Sequence, residues 1–330
     1  MAGCVAKLSL SGARGVLCAL VLVAGSVLVP AAAAQPVDMA APYEYLGWGH
    51  PQPPASVIGA TGIGDLTLAF ILSHGACNPR WDGTRPLGGG SDEAAIASVR
   101  GAGGDVVVSF GGWSGSKLGV SCKSPAVLAG AYQKVIDAYS LKAIDIDIEH
   151  TEVASATVRK RVIAALAITQ AANPGLEISV TFATGEGGPE ASGRSLIADA
   201  AAVGFQPTAW TVMPFDFGKP LTDMGHASIR GVEALERELA AAYHLDAEVT
   251  YAHIGISSMN GHTDEASETV SLEDFRTILS FAQQHHLARL AFWSVNRDRA
   301  CEGEDTGADE CSGIAQAPFA FTDVLAEYHG

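Results

Sequence analysis

The sequence predicts an α/β fold, a single (β/α)8 TIM barrel, and three observations carry that prediction. Short apolar runs of strand length alternate with alanine-rich stretches of helical spacing, the pattern of a parallel sheet with helical crossovers. Eight such runs can be counted, the number that closes a barrel. No internal repeat, low-complexity linker or second compositional zone interrupts the alternation, so residues 35–330 read as one domain.

Taken in order, residues 43–48 are the candidate first strand and 65–72 the second, with Phe70 near its end. A Cys-, Pro-, Trp- and Gly-rich loop over 73–91 precedes a helical pattern at 92–100. The third strand, 105–110, runs into Gly111-Gly112, and a helix over 125–139 has proline in its first turn. The fourth strand is 143–149, and the helix after it, 152–172, is stopped by Asn173-Pro174-Gly175. Strand five (177–182) and a helix (192–203) lead to strand six (209–213), which enters Pro214-Phe215-Asp216-Phe217-Gly218. A helix at 228–243, strand seven (252–257), a helix at 272–286, strand eight (289–293) and a last helix at 319–328 complete the chain.

The fourth strand is the most informative stretch. Acid and isoleucine alternate strictly, so Asp145, Asp147 and Glu149 share one face while Ile144, Ile146 and Ile148 share the other. Three carboxylates about 7 Å apart along a strand repel one another and are costly to bury. Buried together, at least one keeps its proton near neutral pH, and a protonated carboxyl beside an ionised one is what acid-catalysed glycosidic cleavage requires. A solvated edge strand fits poorly, because three isoleucines opposite the acids call for helices packed against them. A divalent-metal site is the other competitor. The stretch lacks the glycine turn of an EF-hand loop, and neither His-x-x-x-His nor Cys-x-x-Cys accompanies it, so no metal and no cofactor are expected.

Net charge is −16, from 20 Lys and Arg against 36 Asp and Glu, which argues against nucleic acid or an anionic membrane as partner. Residues 1–34 read as a secretory signal peptide. Lys7 and Arg14 precede an apolar run, and Pro30 with four alanines supplies a cleavage site near Ala34. An uncleaved anchor is the rival reading, since the run is nearly long enough to span a bilayer. Cys4 and Cys18 fall inside this segment and are given no role. The remaining Cys77, Cys122, Cys301 and Cys311 suit two disulfides in an exported protein. Cys301 and Cys311 flank a short Gly- and acid-rich loop and form the natural local pair, which leaves Cys77 with Cys122. A secreted monomer, free of the membrane once the signal is removed, is expected.

Barrel active sites lie at the carboxyl ends of the strands. Glu149 ends strand four, Gly111-Gly112 ends strand three, Asp216 follows strand six and Trp293 ends strand eight, so all reach one rim. Acids, accessible backbone and a flat aromatic describe a carbohydrate site, because a pyranose offers an apolar face to tryptophan and hydroxyls to carboxylates.

These residues resemble glycoside hydrolase family 18, the chitinases and their relatives, over nearly all of the mature chain. Ser109-Phe110-Gly111-Gly112 is similar to the family's Ser-x-Gly-Gly motif, and Asp145-Ile146-Asp147-Ile148-Glu149 to its D-x-D-x-E motif. Met213 to Asp216 stands where the family carries a Met-containing motif with an acid, and Phe292-Trp293-Ser294 resembles its strand-eight tryptophan motif. The closing Trp293 to Asp298, followed by Cys301 and Cys311, is similar to secreted actinobacterial chitinase-like proteins. The resemblance implies a retaining, substrate-assisted hydrolysis of β-1,4-linked N-acetylglucosamine polymers. In it the substrate's own acetamido carbonyl replaces a protein nucleophile. Glu149 would be the general acid, Asp147 would hold the acetamido N–H, Asp145 would share a proton with Asp147, and Trp293 would form the floor. Phe70, Gly111, Gly112, Trp113, Met213, Phe215 and Asp216 are carried over as substrate-binding.

Two departures stand out. Lys142 and Ala143 occupy the places of the Asp and Gly that open the family signature. The tyrosine that donates its hydroxyl to the reacting carbonyl is also missing, since Phe215 and Phe217 stand at its two candidate positions. Asn296, Ser257 and Tyr251 are candidate replacement donors. Of the remaining tryptophans, Trp113 suits the cleft better than Trp48, Trp81 or Trp210, the last lying inside a strand pattern. Glu186 and Glu190, in a Gly-rich loop, read as solvated acids, and His285-His286 suits a helix C-terminus. His150 follows the acid and is a weak candidate for tuning it. The alternatives to a chitinase are an endo-β-N-acetylglucosaminidase acting on N-glycans, and a weakly active or inactive carbohydrate-binding barrel.

Overall fold

The computed structural model describes residues 39–48, 50–303 and 309–329. Eight parallel strands form its centre: β1 (Tyr43–Tyr45), β2 (Asp65–His74), β3 (Asp105–Gly111), β4 (Ala143–Asp147), β5 (Glu177–Gly185), β6 (Ala209–Met213), β7 (Ile254–Met259) and β8 (Arg289–Trp293). They pair in sequence order, and β8 closes on β1 through Trp293 opposite Tyr43. Eight helices follow their strands in turn: α1 (Pro54–Thr61), α2 (Ser91–Gly101), α3 (Pro125–Tyr139), α4 (Ala156–Ala172), α5 (Ala191–Ala202), α6 (Met224–Tyr243), α7 (Leu272–Gln284) and α8 (Ala320–Leu325). This is the closed (β/α)8 barrel that the alternation implies, and the described barrel residues fall in one unit, Pro36–Gly330.

The core lies between strands and helices. Ile144, Ile146 and Ile148 are buried there with Leu128, Tyr132 and Val135 of α3 and Val162, Ile163 and Leu166 of α4. The isoleucine face of the acidic strand therefore does what its period-2 pattern requires. Inside the barrel an apolar layer of Met39, Ala41, Val107, Ala143 and Ala209 is followed by a polar one. Ser109, Asp145 and Ser179 stand side by side across β3, β4 and β5. Arg289 enters from β8 and donates to Ser179 Oγ at 2.9 Å and Thr67 Oγ1 at 2.9 Å.

Several boundaries differ from the sequence reading. The helix expected over 152–172 breaks at Ser155, which separates a single turn, Thr151–Ala154, from α4 and turns Glu152 inward to 3% exposure. The 73–91 loop contains a strand, Asn78–Trp81, that folds back antiparallel on β2 because Trp81 buries fully and donates to Tyr139 Oη at 2.8 Å. The alternation does not predict α1, since a largely apolar octapeptide begun by proline gives little periodicity to read. The last helix is shorter than 319–328, and the buried Asp298 carboxylate caps its start through the N–H groups of Phe321 and Thr322. α7 begins with a capping box in which Ser271 and Asp274 satisfy each other's backbone N–H.

Both disulfides join the expected partners, Cys77 with Cys122 and Cys301 with Cys311, at Cα separations of 4.8 and 5.1 Å. The signal segment expected over 1–34, with Cys4 and Cys18, lies outside the described residues. Among those residues no helix is long and apolar enough to cross a membrane.

Candidate active site

A cavity of about 570 Å3 opens at the carboxyl ends of the strands, within the range of small-ligand clefts. Asp147, Glu149, Trp293, Met213, Phe215, Asp216, Trp113 and Phe70 all line it. Asp145, Gly111 and Gly112 are not among the residues that line it.

Asp145 is fully buried and pinned by four donors. Tyr43 Oη (2.7 Å) and Ser109 Oγ (2.6 Å) reach one oxygen, while Thr181 Oγ1 (2.6 Å) and Arg289 Nη1 (2.6 Å) reach the other. Charge-assisted bonds of this length fix the orientation of the group. Asp147 is not among these partners. No hydrogen bond therefore joins Asp145 to Asp147 here; Arg289 and three hydroxyls contact the two Asp145 oxygens.

Asp147 ends β4 at 4% exposure, and its buried Oδ1 has no hydrogen-bond partner. Burial pushes its carboxyl well above the usual range, and the charges of Glu149 and Asp145 push it further. Glu149 stands two residues past the strand end, not on its last position, although Ile148 N–H still bonds to Thr181 O at 2.8 Å. Its carboxyl is partly buried and raised to about 7. Burial is the main cause, Lys117 opposes it, and Asp216 and Asp264 add to it.

The glycine pair has a steric reason different from the accessible backbone expected of it. Gly111 (φ 106°) approaches Asp147 so closely that a Cβ would stand 2.1 Å from the Asp147 carbonyl oxygen, and one on Gly112 (φ 80°) would meet the Phe70 ring at 2.8 Å. The Gly112 N–H bonds to Asp147 O at 2.9 Å. Phe70 in turn stacks on Trp293, with ring centroids 5.6 Å apart and planes 12° from parallel, giving a flat aromatic floor.

Trp113 is 67% exposed and packs its ring on His150 at 3.8 Å between centroids. Trp48 is also exposed but lies against Tyr45, while Trp81 and Trp210 belong to the core. Glu190 reaches the cavity wall, whereas Glu186 is held by Lys219 and Arg230. Of the three replacement donors, Ser257 lines the cavity. Asn296 is spent on the backbone of Tyr45 and Trp48, and Tyr251 packs on Phe281 and His285. Phe215 and Phe217 both line the cavity.

Sequence reasoning missed Tyr43, Arg289, Lys117, Asp264 and Glu265. Arg289 had a readable signal, a lone charge opening an otherwise apolar strand. Asp264 and Glu265 come from a hairpin (Gly261–His262 with Thr269–Val270) that polar loop composition conceals. Among the described residues no group of His, Cys, Asp or Glu is arranged to hold a metal ion.

No protein-family model matches the chain. It is 29% identical over 286 residues to a probable bifunctional chitinase/lysozyme of Escherichia coli (strain K12), covering 81% of this chain and 32% of that protein. It is 28% identical over 251 residues to Endochitinase 11 of Metarhizium anisopliae, covering 72% of this chain and 48% of that one. The chain thus spans about a third to a half of the length of these curated relatives. The catalytic domain of a hyperthermophilic chitinase from Pyrococcus furiosus matches with a TM-score of 0.78 at 29% identity, over 87% of this chain and 93% of that one.

Proposed function

We propose that this chain is a glycoside hydrolase of family 18 and that it hydrolyses β-1,4-linked N-acetylglucosamine polymers with retention of anomeric configuration. The observation that carries this reading is the Glu149 carboxyl. Burial lets it keep a proton up to about pH 7, and it faces a cavity beside Asp147 and above an aromatic floor.

In the first step Glu149 gives its proton to the glycosidic oxygen as the bond from that oxygen to the anomeric carbon breaks. The substrate's acetamido oxygen bonds to the same carbon and gives an oxazolinium ion. Asp147 Oδ1, buried and unpartnered, is suited to accept the acetamido N–H and to face the charge that develops. Asp145, immobilised by Arg289, anchors the other end of the acid row. In the second step the Glu149 carboxylate takes a proton from water, which attacks the anomeric carbon and reopens the ring.

One observation favours a second reading. Phe215 and Phe217, at the two candidate positions for the family's donor tyrosine, line the cavity without a hydroxyl, which suits a barrel that binds sugar and cleaves it slowly or not at all. Ser257 is the donor we assign to that oxygen in an active enzyme. We further propose export with cleavage near Ala34, which suits the two disulfides, and a monomeric mature protein.

The test is hydrolysis of chitin oligomers by the mature protein, with anomers followed by NMR before mutarotation. Retention is expected. Inversion overturns the mechanism, and no cleavage between about pH 4 and 8 leaves the binding reading.

A further inference from the structure

We propose that Lys117 serves the reaction as a positioning residue, folding the loop that carries Trp113 back on itself and setting one positive charge beside the acid pair. This rests on the reading of Glu149 as proton donor. Lys117 is 6% exposed. Its ammonium has three donors, and three backbone carbonyls of its own loop receive them: Gly111 at 3.1 Å, Ser114 at 2.7 Å, and Gly112. Three carbonyl oxygens turned to one point repel each other without a cation, so the ammonium is what closes residues 111–117. That closure seats Gly111 and Gly112 on the Asp147 carbonyl and presents Trp113 at the cavity wall against His150.

Burial lowers the pKa of Lys117, and the nearby acids that favour its charged form come from two stretches: Asp147 at the end of β4, and Glu149 and Glu152 from the segment after it. Glu152 accepts the Gly119 N–H at 2.8 Å, and burial raises its carboxyl to about 7, with Lys117 opposing and Glu149 adding to the rise. Around Glu149 the opposing charges are Asp216, from the loop after β6, and Asp264, from the hairpin after β7. Lys117 is the cation that holds Glu149 down against this surplus of acids. The reaction needs that restraint, because the same carboxyl must first give a proton and then take one back, which works best near the working pH. With the cation gone, Glu149 holds its proton too firmly for the second step.

Lys117→Met keeps the apolar stem and removes the charge, so the alkaline limb of kcat/KM on chitin oligomers should move up by about one pH unit. Lys117→Arg keeps the charge and should leave the limb near its original place. Glu152→Gln keeps an acceptor for Gly119 N–H but removes a negative charge, so the limb should move down. A merely structural Lys117 would cost activity in the Met variant with the limb unmoved, and that result overturns the proposal. If Lys117→Met does not fold, the wild-type protein decides. The Lys117 15Nζ resonance should inflect near pH 7 as its neighbouring carboxyls titrate, and a flat response from about pH 5 to 9 overturns the proposal. Glu149→Gln in the same assay separates the two readings. Activity in that variant sinks the functional reading, whereas a dead Glu149→Gln with no limb shift in Lys117→Met sinks only the role of Lys117.

Discussion

Glu149, Asp147 and Asp145 differ in what surrounds them, and that difference separates their chemistry. Asp145 has an arginine and three hydroxyls, Asp147 has a buried oxygen without a partner, and Glu149 faces the cavity. Glu149→Gln should abolish hydrolysis while oligosaccharide binding, read by calorimetry, stays largely intact, since size and hydrogen bonding persist and only the proton is lost. Asp147→Asn should slow cleavage of substrates that bear the acetamido group. Wild-type kcat/KM should fall as pH rises through about 7, where Glu149 loses its proton. Phe215→Tyr or Phe217→Tyr asks whether a donor is missing. In a weakened enzyme one of them should raise kcat, by up to about 10²–10³-fold, the worth of one oxyanion donor. If Ser257 already serves, both should be neutral or harmful, for the added hydroxyl needs room and a partner. The acid row was legible because alternation on a strand is a strong signal. Lys117 was not, since nothing in one sequence says that a loop lysine folds inward onto its own carbonyls.

At the scale of elements, β4 is the best-specified piece of the molecule, one face filling the core and the other forming the site. Strands and long helices were readable from periodicity, and errors gathered where side chains set the ends. Asp298 cuts the last helix short, Ser155 divides the helix after β4, and Trp81 draws a loop into a hairpin. The loop closed by Cys77–Cys122 is much longer than that closed by Cys301–Cys311, with separations of 45 and 10 residues. On chain entropy the first bridge should contribute about 4 kcal/mol and the second about 3. Replacing each pair by serine should therefore lower Tm more for Cys77/Cys122, read by calorimetry at equal pH. The reverse order would mean that native-state interactions, not loop closure, govern the bridges.

Across the whole molecule, buried acids with raised carboxyls give stability a definite slope with pH. Glu44 is fully buried, both its oxygens lack partners, and burial raises it well above the usual range; Asp147, Glu149 and Glu152 are raised too. Above the unfolded carboxyl value, near 4.5, the native chain holds more protons than the unfolded one, so stability falls as pH rises towards and through about 7. Tm should be higher at pH 5 than at pH 8, and Glu44→Met should flatten that slope and raise Tm most at the alkaline end. A Tm that rises from pH 5 to 8 would contradict the burial of these groups in the acid form.

The ion pair inside the barrel also bears on how the chain folds. Asp145 and Arg289 are 144 residues apart, and Arg289 opens the last strand. A chain folding from its first residue holds the central carboxylate without a counterion until that strand arrives. An early half-barrel therefore meets an electrostatic penalty for collapsing round Asp145, and contacts of such long range make folding slow. Closure of β8 on β1 then completes the sheet, pairs the carboxylate with Arg289 and brings Trp293 to the cavity wall in a single event. During refolding, oligosaccharide binding and the main recovery of native tryptophan fluorescence should rise with one rate constant, with no compact species able to hold sugar before that step.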